Sequence, residues 1–318
     1  MISLWTRAGL SWTELLKRVG REIVEDDVFG RSAELAYYFL LSAFPLLLCL
    51  TSVFGHVMGQ RADLREELFE YLRAVMPTPE SLALIQNTLQ EVIDQRGLHF
   101  SFGLAFSLWA AAQGIVAVGR VLDWAYEVEG DRSFLRSQVI AVLLTVGCAA
   151  LTLVALVLMF YGSTVVAEMA ALPNGGPLLT RLWFSLRWPL VVVFLIAAFE
   201  LIYNFAPSGL SRRQLHWSSP GALVGVALWL GASAGLKIYL SRFNLYTWTY
   251  GSLGALIILL LWFYLTGFAI LVGGEVNSEI VKALAEREGI APSALTGRAR
   301  PPRTAKARRG GRRRSGLR

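Results

Sequence analysis

YGSLGALIILLLWFYLTGFAILVGGEV, residues 250–276, decides what kind of molecule this is, because its only formally charged side chain, Glu275, stands in the last turn. A helix rises ~1.5 Å per residue, so about 20 such residues cross a hydrocarbon core ~30 Å thick. Working outward from this run, comparable stretches lie at 32–58, 99–122, 137–169, 183–206 and 217–241. The run at 137–169 is as continuous as the last one. The run at 99–122 is interrupted by small residues and Gln113, and that at 183–206 carries Arg187, Pro189 and Glu200. The pattern predicts an all-α polytopic membrane protein with six transmembrane helices. Composition points the same way: 55% of the 318 residues are hydrophobic and 17% charged, and mean hydropathy is +0.51, whereas a soluble domain carries about 25% charged residues.

The charge is unevenly placed. Net charge is +7, yet the stretch from Pro292 to Arg318 holds cations and no acid, so the rest of the chain is slightly acidic. A nucleic-acid-binding domain would spread its cations over a folded face, and no specific nucleic acid is expected as a partner. Counting Lys and Arg in alternate connections puts most of them on one side: the N-terminal segment, the connection around Arg132, the Arg212-Arg213 turn and the C-terminal segment. Cations are poorly translocated, so both termini are expected in the cytoplasm. The first apolar run starts near Ala33 and is too long for a signal-peptide core, so the first span is expected to be retained.

Three regions follow: a cytoplasmic N-terminal segment (1–31), a membrane domain (32–285) and a basic, disordered cytoplasmic tail (286–318). Within the membrane domain, residues 59–98 have two helical patterns around Pro77-Thr78-Pro79. Leu64, Leu68, Leu72 and Val75 form one stripe and Leu82, Ile85, Leu89 and Val92 another, with Thr78 as N-cap and Pro79 at the first helical position. This predicts an acidic extracytoplasmic helical hairpin, either a packed cap or a surface for an extracytoplasmic protein partner. In the tail, Arg308, Arg309, Arg312, Arg313 and Arg314 are expected to contact anionic lipid, each worth about 1 kcal/mol near such a surface.

Residues able to carry chemistry are few. His56 and His99 fall at the outer ends of the first two spans and His216 at the opposite end of the fifth; no HxxxH, HExxH, GxSxG, Walker or dinucleotide-binding pattern is present. Cys49 and Cys148 sit in apolar runs and read as small buried hydrophobes. No catalytic residue, metal or cofactor is expected. Ionisable groups at membrane depth are costly and therefore informative. Glu200 lies about 9 Å inside the nearer end of the fourth span by helical rise. At similar depth come Arg31, Glu34 and Tyr37 at the start of the first span, Arg120 and Asp123 at the end of the second, Tyr203 and Asn204 beside Glu200, and Glu275 with Asn277 at the end of the sixth. They form a candidate polar cluster, to serve as an ion-pair network or as the lining of a polar cavity. Pro45 should kink the first span, with Ser42 one turn earlier helping to satisfy the freed backbone groups. Trp and Tyr residues near the helix ends fit interfacial belts.

Four strings bear a resemblance to known proteins: LAYYFLLSAFPLLL from Leu35, WAAAQGIVAVGRVLDWAYEV from Trp109, YNFAP at Tyr203–Pro207 followed by WSSPGALVGVALWL from Trp217, and YGSLGALIILLLWFYLTGFAILVGGEVN from Tyr250. In order and spacing they resemble the YihY/BrkB family of bacterial inner-membrane proteins. The resemblance implies a six-helix, multi-pass inner-membrane fold and a link to the envelope, serum resistance and virulence, with lipids among the substrates. Members have carried the label ribonuclease BN. That tRNA-processing chemistry resembles a metallo-β-lactamase with a dense His/Asp motif that this sequence lacks, so the nuclease reading is rejected. The expected function is transporter-like handling of a lipid or other amphiphile in envelope maintenance, with membrane lipids as partners. The alternative is a non-transporting scaffold that docks a partner through the acidic hairpin.

Overall fold

The computed structural model describes residues 11–60, 98–127, 132–170, 176–208, 220–242 and 252–289. Among them the secondary structure is all helical: α1 (Trp12–Glu25), α2 (Val28–Gln60), α3 (Leu98–Ala111), α4 (Gln113–Ala125), α5 (Phe134–Ala170), α6 (Gly176–Phe205), α7 (Pro220–Arg242) and α8 (Ser252–Glu288). Among the described residues five stretches are long and apolar enough to cross a membrane: Ala105–Ala125, Phe134–Ala155, Ser185–Phe205, Pro220–Arg242 and Leu256–Arg287. The run at 32–58 lies within α2, which has 33 residues. Of the expected hairpin (59–98), residues 61–97 lie outside the described residues, with 59–60 ending α2 and 98 opening α3; the part of the expected tail beyond Gly289, including Arg308 to Arg314, also lies outside them.

The chain divides into two compact units, one of Met1–Tyr37 with Ile115–Arg318, the other of Tyr38–Gly114. In the first, α5 packs on α6 and α7 on α8, while α1 lies on α8 and α6 meets α7. Leu15 and Val19 of α1 are buried, the apolar face of a short amphipathic helix that leaves Trp12, Leu16 and Val24 exposed along with its charged residues. Asp27 makes the corner into α2 at φ 51°, a left-handed conformation that Asp tolerates better than most residues, and its Oδ1 accepts the Gly30 N–H at 3.2 Å. The α7–α8 contact is made close by glycine. A Cβ on Gly273 would strike the Gly221 carbonyl oxygen and the Tyr203 hydroxyl, so the two backbones meet only because both positions lack a side chain. Deeper along this contact, Trp229 Nε1 donates to Thr266 Oγ1 at 3.1 Å and Trp262 Nε1 to Ser233 Oγ at 3.4 Å.

Three features differ from the sequence reading. The second span is two helices, α3 and α4, with Ala112 between them. There the Gln113 side chain donates to the Trp109 carbonyl at 3.1 Å, drawing on a backbone acceptor. The sixth helix runs past the apolar stretch to Glu288, so residues 286–288, expected in the tail, are helical; α1 covers that extension. In the second unit α2 passes through Pro45, and among the described residues the buried Ser42 Oγ has no hydrogen-bond partner, so no assistance from it is seen there. Gly114 crowds it, since a Cβ there would stand 3.2 Å from Ser42 Oγ and 3.3 Å from Phe39, and the serine serves as a small seat for a close helix approach.

Candidate functional site

The polar residues of the first unit gather where α4 and α6 end and α5 and α7 begin. Local sequence explains why. Each helix stops or starts with unsatisfied backbone groups, and the side chains that meet them come from the neighbouring helices. Asp123, buried near the end of α4, accepts the Ser208 backbone N–H and hydroxyl, each at 2.6 Å. Arg132 Nη1 donates to the Phe205 and Ala206 carbonyls at 2.9 and 3.4 Å, closing the end of α6. Burial lowers the Arg132 guanidinium from its ordinary value, with neighbouring Arg136 adding to the fall and Asp123 opposing it. Asn277 Oδ1 accepts the Gly221 N–H at 2.8 Å, satisfying a donor in the first turn of α7.

Between these closures lies a buried polar core. Tyr203 is 2% exposed; its hydroxyl donates to the Ile270 carbonyl at 2.8 Å, and its ring meets Phe199 edge-on. The Tyr126 phenol shares a hydrogen bond with the Asn277 side chain and feels the charges of Glu275 and Glu200. Glu200 is 3% exposed and accepts from Asn204 Nδ2 at 3.2 Å. Glu275 is 1% exposed, and its Oε2 accepts no hydrogen bond from the described residues.

One layer further along α8, Lys282 gathers three carboxylates, one from α1, one from α8 itself and one from the turn after α4. Its Nζ lies 3.0 Å from Glu127, 3.1 Å from Glu279 and 3.6 Å from Glu22. Burial pushes the Glu22 carboxyl above its ordinary value despite Lys282, and the charges of Glu279, Asp26 and Glu25 push the same way. Arg18 bridges Glu14 and Glu286, both at 3.2 Å.

Of the residues singled out from sequence, Asp123, Glu200, Tyr203, Asn204, Glu275 and Asn277 fall in this region of the first unit. Arg31 turns to the protein edge of it, with Nε donating to the Asp26 carbonyl at 2.7 Å and its guanidinium 4.3 Å from the Trp124 ring centre. Arg120 lines a small cavity beside Asp123. Glu34 and Tyr37 are exposed. Ser42 and Pro45 belong to the second unit. Lys282, Glu22, Glu127, Glu279, Arg132 and Ser208 were not singled out. A signal for two of them was there: Glu279 and Lys282 continue the face of Glu275 at helical spacing beyond the apolar run. No group of three or more His, Cys, Asp or Glu able to hold a metal occurs among the described residues.

Comparison with known proteins fits this frame. The family model described as virulence factor BrkB matches residues 19–296. YfkH of Bacillus subtilis (strain 168), which carries a ribonuclease-like name, is 32% identical over 254 residues, covering 80% of this chain and 90% of its own. A UPF0761 membrane protein of Vibrio campbellii is 28% identical over 279 residues, covering 86% of this chain and 82% of its own. A UPF0761 membrane protein of Xanthomonas oryzae pv. oryzae is 26% identical over 263 residues and longer, with 59% of its length covered. No solved structure matches. With the family model spanning the helices and the polar core alike, the chain belongs to the BrkB family of membrane proteins.

Proposed function

We propose that this protein is a transporter-like handler of a lipid or other amphiphile in the bacterial inner membrane, with six spans and both termini in the cytoplasm. The observation that carries the reading is an apolar groove of about 580 Å³ on two spanning helices, lined by Val224, Ala227, Leu228, Gly231 and Ala232 of α7 with Leu265, Phe268 and Ala269 of α8. Its volume is in the range of small-molecule sites, roughly 300–1,000 Å³, and its walls belong to two of the candidate spans, beside which the ligands on offer in a bilayer would be acyl chains. The buried polar core at one end of the same helices supports the reading, because α7 and α8 carry both features. A sixth span is supplied by α2.

Photo-crosslinking tests the groove. Purified protein in membranes containing a phospholipid with a diazirine on its acyl chain should crosslink at 224–232 and 265–269. Ala227→Trp and Gly231→Leu, which fill the groove, should remove those adducts. Adducts spread evenly over the lipid-facing helices, unchanged in both variants, would contradict the reading.

A further inference from the structure

We propose that Glu275 is a proton-binding site, its carboxyl protonated in the packing around this turn of α8 and ionised when that packing opens to water. Every residue from Leu271 to Ile280 is buried, so α8 has protein on all its sides here rather than along one face. A Cβ on Gly274 would strike Leu122 of α4, and one on Gly273 would strike the Tyr203 hydroxyl of α6 and the Gly221 carbonyl of α7; three helices thus close round the turn that carries Glu275. Glu275 itself is 1% exposed, and among the described residues its Oε2 has no hydrogen-bond partner. A carboxylate left dry and without a donor is among the costliest groups to bury, and the usual relief is to take up a proton.

The charges around Glu275 do not supply a cation of its own. Glu22 of α1, Asp26 in the turn after it, and Glu279 and Lys282 of α8 all act on it. Lys282 Nζ is already shared by Glu22, Glu127 and Glu279 within 3.6 Å, and it stands two turns further on, about 10 Å along the helix axis. Beyond α4 and on α6 the titratable groups are the Tyr126 phenol, which feels both Glu275 and Glu200, and Glu200 itself. Arg31 of α2 is turned to the Asp26 carbonyl and the Trp124 ring, and α7 meets the turn through Gly221, which carries no charge. A metal ion would need a set of ligands that the described residues do not form, whereas a proton needs one oxygen. The site does not depend on lipid movement, since a neutral Glu275 lets the neighbouring helix ends pack on α8 whether or not a lipid is carried.

Infrared spectroscopy of the full-chain protein in lipid reads the proton directly, because a protonated carboxyl has a C=O stretching band that a carboxylate lacks. Near neutral pH the wild-type spectrum should contain this band, and the band should fade reversibly as the pH is raised. E275Q should lose one carboxyl's share of it, whereas E279Q, which alters a carboxylate beside Lys282, should keep that share. Gln is close in shape to a protonated Glu, so E275Q should fold and melt near the wild-type temperature at neutral pH. A wild-type spectrum without the band, a band that E275Q leaves unchanged, one that persists until the protein unfolds, or an E275Q protein that fails to fold would each overturn the proposal. Loss of the band in E200Q but not in E275Q would put the proton on Glu200 and overturn it as well.

Discussion

Lys282 shows how a residue outside the apolar run can matter more than those inside it. It offsets Glu22, Glu127 and Glu279 together, so Lys282→Met leaves three close carboxylates without their cation. The cost should be about 3 kcal/mol, in the range for breaking a buried pair. Arg18→Ala, at a more exposed pair, should cost less than about 1 kcal/mol; thermal unfolding of both variants in one detergent measures the contrast. Glu22 adds a pH dependence. Its folded carboxyl is raised above the ordinary 4.5, so its contribution to stability is fully present below 4.5 and is lost as pH rises through the raised folded value. Glu22→Gln lacks that loss. The melting temperature of the variant relative to wild type should therefore climb as pH rises above the ordinary 4.5, and a flat or falling difference would show that the ion pair with Lys282 outweighs burial. Sequence made Glu200, Glu275, Asn277 and Asp123 visible because an ionisable or amide group in an apolar run stands out. Glu22 and Glu127 lie in ordinary polar sequence, and only the approach of α1 and α4 to α8 gives them a role.

Helix ends and helix contacts explain the next scale. The apolar runs located the helices well, since a continuous run and an α-helix share their length requirement. The ends were less legible: α8 carries on to Glu288 because α1 buries Leu15 and Val19 against it, a tertiary effect that hydropathy does not contain. The break at Ala112 was signalled by Gln113, whose amide takes a backbone acceptor. Glycines divide by what stands opposite them. A Cβ on Gly119 would lie 2.6 Å from the Ala206 carbonyl oxygen, whereas on Gly147 it would meet only Leu201 Cδ1 at 3.8 Å. Gly147→Ala should therefore be neutral or stabilising by up to about 1 kcal/mol through helix propensity. Gly119→Ala should cost about 2 kcal/mol or more by pushing the end of α6 from α4 and loosening the Asp123–Ser208 bonds. Equal unfolding temperatures for the two variants would mean that the α4–α6 contact yields easily.

For the whole molecule, alternate connections rich in Arg and Lys orient the proposed six spans. Single cysteines at Glu80 and Pro173 should react with an impermeant thiol reagent in intact cells and those at Ser211 and Thr304 only after lysis; the reverse pattern would invert the topology. Transbilayer movement of lipid, the proposed activity, is measured directly by reconstitution. Vesicles with and without the protein receive a fluorescent phospholipid in both leaflets, and dithionite then bleaches the outer one. Wild-type protein should expose the inner-leaflet probe faster than protein-free vesicles do, and Ala227→Trp should slow this while leaving the protein folded. Bleaching that stops at the outer leaflet with wild-type protein present, as it does without it, would contradict the account.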